Sequence, residues 1–336
     1  LLHDGITFDP KLGVWNVTYS YSDKITQLQS NYFHVKKRME KLNEKLQKRP
    51  DLCALVNQEI KKNIDLGFWV KCSDIKFPAN CQKHYIPFNY VENPTSLSTP
   101  CRLVCDSSAT DQSGLSLNQC QIAGRSFIRS LRGCLLKARV SQQIALGDLS
   151  KFFNSFKLNH SDASLRRVLV PIGGFGKNDG FDEYCQTVIP FGDKAASILS
   201  CMARDKNADM FSNSFPELTE QVTHIFKHMT YIDDVTANQS WDQNMDAVIA
   251  ALETIAESGG LKFKNWTRLG DETSTKYLGY TWDPKEDTLK PRLWFNIGKT
   301  ERGIATEEDL TQENIEQRVM SSCTKRDILS VQGQFF

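Results

Sequence analysis

Apolar residues recur at helical spacing most clearly over 242–257, where Met245, Val248, Ile249, Leu252 and Ile255 fall on one face. Gly259-Gly260 ends that helix, and Leu261 to Trp266 has strand character. Toward the start, residues 1–24 are short β-prone pieces broken by Gly5, Pro10 and Gly13. A helix is predicted over 26–48, stopped by Pro50, and a second from Asp51 to Asp65, ended by Gly67. Residues 68–113 alternate short strands with loops at Pro78, Pro87, Pro94 and Pro100. Leu117 to Ala138 reads as mostly helical, with Gly124 and Gly133 as weak points.

From residue 141 the pattern changes. A strand through Ile144, Ala145 and Leu146 delivers Asp148, and a helical stretch follows near 150–157. Then come a hairpin around Gly173-Gly174 and the Gly176–Gly180 turn, a strand to Pro190, and a helix from Asp193 to about Arg204. A second hairpin passes through 231–234 before the amphipathic helix. The order β, α, β-hairpin, α, β predicts an α+β chain built on a split βαβ sheet. Two further helices are predicted over 306–318 and 324–335.

The most informative stretch is FKHMTYIDDVT, residues 226–236. Two adjacent carboxylates between β-favouring residues are awkward in a plain strand, because one must point inward. At a hairpin tip both can face a divalent cation, whose charge offsets their repulsion. Asp148, 85 residues upstream of Asp233 and at a strand end, supplies a third carboxylate. Three such groups suit two Mg²⁺ ions, which sit about 3.5–4 Å apart in two-metal phosphoryl transfer. An Asp-Asp dipeptide by itself is more often a solvated turn; the apolar flanks and the upstream Asp148 shift the balance.

These motifs resemble a known family. YIDD is similar to the Y-x-D-D box of reverse transcriptases, and GDLSKFF (147–153) to their first palm motif. TPCRLVCDSSA (99–109) and GLSLNQC (114–120) resemble the fingers segment of Bel/Pao-type LTR retrotransposon polymerases. VIPFG (188–192) resembles the loop before the second palm helix. YLGYTWDPKEDTL (277–289) resembles the primer grip and its sequel, and TKRDILSVQGQFF (324–336) the start of the connection.

The resemblance implies a right-hand polymerase fold: an N-terminal extension with the helical part of the fingers (1–82), fingers (83–140), a palm (141–298) and the start of a thumb or connection (299–336). It implies RNA- and DNA-directed DNA synthesis from dNTPs on a template-primer, with two Mg²⁺ ions, or Mn²⁺, on Asp148, Asp233 and Asp234. Lys264 falls near a position proposed to protonate pyrophosphate. Arg102, Leu149, Phe153, Phe191, Gly192 and Tyr231 would meet the incoming nucleotide, with Phe153 under its sugar. Tyr277, Leu278, Gly279 and Tyr280 would hold the primer terminus. One departure is plain: the family shows Ser-Pro four and five positions beyond the glycine of the loop, and this chain has Ala196-Ser197. That exchange bears on the helix start beneath the template.

Net charge is only +1 over 336 residues, so charge alone does not announce a nucleic-acid partner. Its distribution says more. Residues 121–147 hold Arg125, Arg129, Arg132, Lys137 and Arg139 with no Asp or Glu, and 36–49 hold seven Lys/Arg against Glu40 and Glu44. The first three arginines are candidate phosphate contacts. The 36–49 segment reads equally as a solvated helix face. Ten cysteines show no CxxC pair, which favours buried free thiols over a zinc site at Cys101 and Cys105. No apolar run approaches the ~20 residues of a membrane span. The chain reads as a segment of a retroelement polyprotein, with RNase H and integrase elsewhere in it, acting in a cytoplasmic virus-like particle or in the nucleus. Two other readings stay open: a polymerase-fold remnant that binds nucleic acid or a protein partner without turnover, and an RNA polymerase.

Overall fold

The computed structural model describes residues 4–92, 100–139, 143–239, 244–269, 275–283, 286 and 288–291. The chain divides into two compact units, Leu1–Tyr90 with Arg102–Gly270, and Val91–Cys101 with Asp271–Phe336. The helices predicted over 306–318 and 324–335, and with them the segment 299–336, lie outside the described residues.

The first unit opens with an antiparallel pair, β1 (Ile6–Asp9) and β2 (Val14–Val17). Two 16-residue helices follow, α1 (Tyr32–Gln47) and α2 (Pro50–Asp65). Pro50 does not merely stop the first helix: it opens the second at its first turn, where the missing N–H has no cost. Next come β3 (Trp69–Lys71), β4 (Phe88–Glu92) and β5 (Cys101–Cys105), with β4 and β5 paired. The helix expected over 117–138 is broken in two, α3 (Leu117–Cys120) and α4 (Leu131–Arg139), with irregular chain between them that includes Gly124 at φ +69°.

The central strand β6 (Gln143–Leu149) then leads into a single 3-10 turn (Phe152–Ser155) and β7 (Phe156–Leu158). No α-helix forms over 150–157, because Lys151 sits at φ +51° and the chain re-enters a strand at Phe156, pairing parallel to β2. A short α5 (His160–Ser164) precedes the hairpin of β8 (Arg167–Pro171) and β9 (Phe181–Gln186), whose sheet has the order β3-β9-β8. α6 (Ala196–Phe211) runs about two turns beyond its expected end. α7 (Thr219–His228), unanticipated from the sequence, packs beside it, burying Val222, Ile225 and Phe226. The hairpin β10 (Thr230–Tyr231) and β11 (Asp234–Gln239), then α8 (Met245–Ser258) and β12 (Phe263–Leu269), complete the unit.

The four-stranded sheet has the order β10-β11-β6-β12. β11 and β12 each run antiparallel to β6 and so parallel to one another, with α8 as their connection and β6 between them. Ala145 and Leu149 of β6 and Val235 and Ala237 of β11 point into one core with α6, α7 and α8, joined by Trp15 and Val17 of β2. The alternate residues, Asp148 and Asp234 among them, therefore fall on the opposite face. In the second unit, β13 (Thr275–Tyr277), β14 (Tyr280–Asp283) and β15 (Thr288–Pro291) form an antiparallel meander.

The end of α8 is locked to β2 through one side chain. Asn207 of α6 accepts from Trp15 Nε1 (2.9 Å) and donates to the Ile255 carbonyl (2.7 Å). A Cβ on Gly259 would overlap Asn207 and come within 2.7 Å of Trp15 Nε1. Gly259→Ala should therefore lose on the order of 2–3 kcal/mol of stability. Urea unfolding checks this: a lower midpoint with an unchanged slope is expected.

Candidate active site

Asp148 and Asp234 are direct cross-strand partners, with Asp148 one residue from the end of β6 and Asp234 at the start of β11. Like charges placed directly opposite destabilise a ladder by a few tenths of a kcal/mol to ~1 kcal/mol. The register is nevertheless imposed by the alternating apolar positions on the helix-facing side. Asp233 occupies the two-residue turn, between the paired Tyr231 and Asp234. Its carbonyl accepts from the Leu149 amide at 3.0 Å, tying the turn to the end of β6.

The two carboxyls of the YIDD turn are perturbed by their surroundings. Burial, then the charges of Asp233 and Asp148, push the Asp234 carboxyl up to about 6. Asp233 is also raised, first by burial and then by Asp148, while its own backbone amide and Arg204 oppose the shift. No Lys, Arg or His among the described residues forms an ion pair with any of the three. Hard oxygen donors carrying uncompensated, mutually repelling charge suit Mg²⁺ or Mn²⁺. Among the described residues no three acidic, His or Cys side chains are arranged as a ready metal cage. Magnesium seldom uses one, taking one or two carboxylates together with substrate phosphate oxygens.

The turn has an unusual backbone. Ile232, its first central residue, has φ +57°. Two-residue hairpins reserve that region for Gly, Asn or Asp, and a β-branched residue there is strained. The Ile232 carbonyl accepts from Arg204 Nη1 at 2.7 Å. Arg204 is fully buried in α6, and its Nε and Nη2 donate to Asp205 Oδ1 at 3.0 and 2.7 Å. Sequence reading missed both residues. The one available signal was an Arg-Asp doublet inside an otherwise apolar helix.

The other expected site residues divide. Leu149 is a core side chain, and its amide and that of Ser150 are committed to the carbonyls of Asp233 and Lys262, so neither is free for a phosphate. Phe152 is buried, whereas Phe153 is half-buried and stacks edgewise on Phe191 at 4.8 Å. Phe191 itself is 52% exposed. Gly192 has φ +105° and lies so close to the Cys105 carbonyl that a Cβ would overlap it; its own carbonyl accepts from Asn118 Nδ2 at 3.0 Å. Arg102 is exposed on β5, three residues before that Cys105. Lys264 is exposed in a bulge of β12, next to Phe263, the cross-strand partner of Leu149. Tyr231 is half-buried opposite Asp234.

The remaining candidates are the arginines of α4 and the chain before it, and a turn of the second unit. Arg125 and Arg132 are exposed, but Arg129 is half-buried and paired with Asp205 at 3.0 Å, so its charge is largely spent within the protein. Tyr277 to Tyr280 form a tight turn in the second unit, with Leu278 at φ +46° and Gly279 at φ +82°. Cys101 is buried and Cys105 donates to Gln186 Oε1 at 3.4 Å; among the described residues the cysteines are free thiols.

The start of α6, where Ala196-Ser197 stands, has no side-chain cap of its own. The two residues that lead into it are held from afar: Lys194 N–H donates to Asn118 Oδ1 (2.9 Å) and Ala195 N–H to Gln121 Oε1 (3.0 Å). Asp193, just before it, accepts from Arg166 Nε at 2.6 Å and from Ser107, with the Arg166 and Asp193 side chains fully buried. Arg166 also stacks over Tyr19 at 3.8 Å and donates to Tyr21 Oη at 3.0 Å. Burial pushes both phenols well above their ordinary value.

No protein-family model matches the chain, and no curated protein matches it. Among solved structures, the foamy viral protease-reverse transcriptase in complex with RNA/DNA hybrid superposes with a TM-score of 0.52 at 14% identity, over 84% of this chain and 30% of that one. The foamy viral protease-reverse transcriptase dRH in complex with ds DNA gives 0.48 at 14% identity, over 83% and 39%. The chain thus spans less than two-fifths of either. At this identity the first superposition is a likeness of fold: a mixed α/β chain of small sheets, reverse-transcriptase-like.

The raised carboxyls set a pH dependence. Asp233 and Asp234 hold protons more tightly folded than unfolded, so stability is lost as pH rises from about 4, the ordinary carboxylate value, to about 6. In chelator-containing buffer the melting temperature should fall across this window, and Asp234→Asn should flatten the fall. Melting curves at several pH values, parent against variant, make the comparison.

Proposed function

We propose that this chain is the polymerase segment of a Bel/Pao-type retroelement, an RNA-directed and DNA-directed DNA polymerase. The observation that carries the reading is the pairing of Asp148 with Asp234 across adjacent strands, with Asp233 at the connecting turn, on a split βαβ sheet. In this reading that sheet is the palm, and the β3-β9-β8 sheet with the β4-β5 ribbon belongs to the fingers. The Bel/Pao assignment rests on the sequence motifs alone.

Asp148, Asp233 and Asp234 would hold two Mg²⁺ ions, with Mn²⁺ as substitute, whose charge favours attack by the primer 3′-hydroxyl and departure of pyrophosphate. The protein's part is positioning. Phe153, backed by Phe191, would form the floor beneath the sugar of the incoming dNTP. Gly192 lets the loop lie against the Cys105 carbonyl, which sets the floor beside the strand carrying Arg102. Exposed Arg125 and Arg132 would contact template-primer phosphates, while Arg129 serves the interior. The binding-remnant alternative draws on Ala196-Ser197; the two residues before that helix start are held by Asn118 and Gln121.

Primer extension on poly(rA) with Mg²⁺ or Mn²⁺ tests the reading. Asp148→Asn and Asp233→Asn should each abolish extension while the variants melt no lower than the parent, since each relieves repulsion. Near-normal extension by a folded Asp148→Asn protein would remove Asp148 from the reaction, and no extension by the parent would refute polymerase function.

Sugar selection is read separately. A rigid ring under the sugar leaves a 2′-hydroxyl no room and no partner, so Phe153→Val should lower discrimination against ribonucleotides by about tenfold or more, ~1.4 kcal/mol. Single-nucleotide incorporation with matched dNTP and rNTP measures it, and equal discrimination by parent and variant would remove Phe153 from that role.

A further inference from the structure

Arg204 is remote from the carboxylates in sequence, yet it touches the backbone that presents them. Its three donor nitrogens are all committed: two to Asp205 Oδ1, one to the Ile232 carbonyl at 2.7 Å. Asp205 is itself held from the other side, its second oxygen accepting from Arg129 at 3.0 Å. The guanidinium therefore cannot swing away without breaking a buried, charge-assisted fork. The group it holds is the carbonyl of a β-branched residue at φ +57°, packed by its side chain against the core. An isolated Tyr-Ile-Asp-Asp turn would abandon that conformation, because a β-branched Ile lacks the freedom of glycine.

We propose that Arg204 is a positioning residue: by holding the Ile232 carbonyl it keeps the turn in its left-handed backbone state and so fixes where Asp233 points. The Asp233 carbonyl, one peptide further on, then meets the Leu149 amide, and the turn is clamped at both of its peptides. Arg204 does not touch substrate or metal. Its consequence for nucleotide transfer rests on the polymerase reading; its effect on the backbone does not.

The two ideas are separable by experiment. Ile-selective isotope labelling gives the HN–Hα coupling and Cα shift of Ile232, which report the sign of its φ directly. Arg204→Met, which keeps length and loses the donors, should move Ile232 out of the left-handed region in a protein that still melts cooperatively. Arg204→Lys, which keeps the charge beside Asp205 but lacks the fork to reach both partners, is read the same way should the Met variant not fold. In primer extension Arg204→Met should lose about tenfold or more. Adding Ile232→Gly should recover most of that loss, because glycine takes positive φ freely, so the double variant is better than the two single effects combined. A merely structural Arg204 would give additive losses. Retention of positive φ at Ile232 in a folded Arg204 variant, or strict additivity, overturns the proposal. If the parent extends no primer, polymerase function fails while the Ile232 signal still decides the role of Arg204.

Discussion

The candidate site depends on one enforced juxtaposition, Asp148 directly opposite Asp234 on neighbouring strands. Taken alone it is unfavourable. It persists because slipping the register by one residue would turn Ala145, Leu149, Val235 and Ala237 out of a core they share with three helices. Hydrophobic register thus overrides electrostatic preference and concentrates negative charge at a strand end. Gly147, next to Asp148, leaves room for the rings of Trp266 and Phe263 against β6; any Cβ there would come within 2.8 Å of the indole. The strand is narrow where it is most crowded and charged where it is most open.

A second charged centre supports the neighbouring loop. Arg166 and Asp193 pair in the interior and draw in Tyr19, Tyr21 and Asp162, so that the β2 exit, α5, the segment after β5 and the entry to α6 meet at one buried ion pair. Removing one partner of such a pair typically costs about 3–5 kcal/mol, because the other is left charged and dry. The Phe191-Gly192 turn, immediately before Asp193, takes its rigidity from this centre as well as from its own backbone. The two buried arginines, Arg166 and Arg204, perform parallel tasks: each fixes a loop by satisfying groups that apolar packing cannot.

Much of this architecture was legible in the chain. The hairpin at 231–234, the α8 face and the strand ending in Asp148 follow from apolar periodicity and from Gly259-Gly260. Local signals failed where distant residues decide. Pro50 reads as a stop and is also a start. Residues 117–138 carry helical composition, but their middle is irregular chain that packs through Ile122 N–H on the Ser20 carbonyl. α7 has only Val222, Ile225 and Phe226 on its buried face, too short a period beside Pro216 to stand out. The ties of Arg204 to Ile232 and of Arg166 to Asp193 span 28 and 27 residues, and no periodicity encodes them. Arg129 looked like a phosphate contact because its counter-charge, Asp205, lies 76 residues away.

The borrowed closure of α6 has a kinetic meaning. The two residues leading into it, Lys194 and Ala195, are held by Asn118 and Gln121, across separations of 76 and 74 residues. A helix normally nucleates with a cap supplied from its own neighbourhood, and that shortcut is missing here. The approach to α6 takes its final path only when the α3 segment has already docked, so a long loop must close before the entry to a local element is fixed. On a growing or refolding chain, α6 would form from its later turns backward, and the Phe191-Gly192 loop would be among the last parts of the molecule to take its final shape.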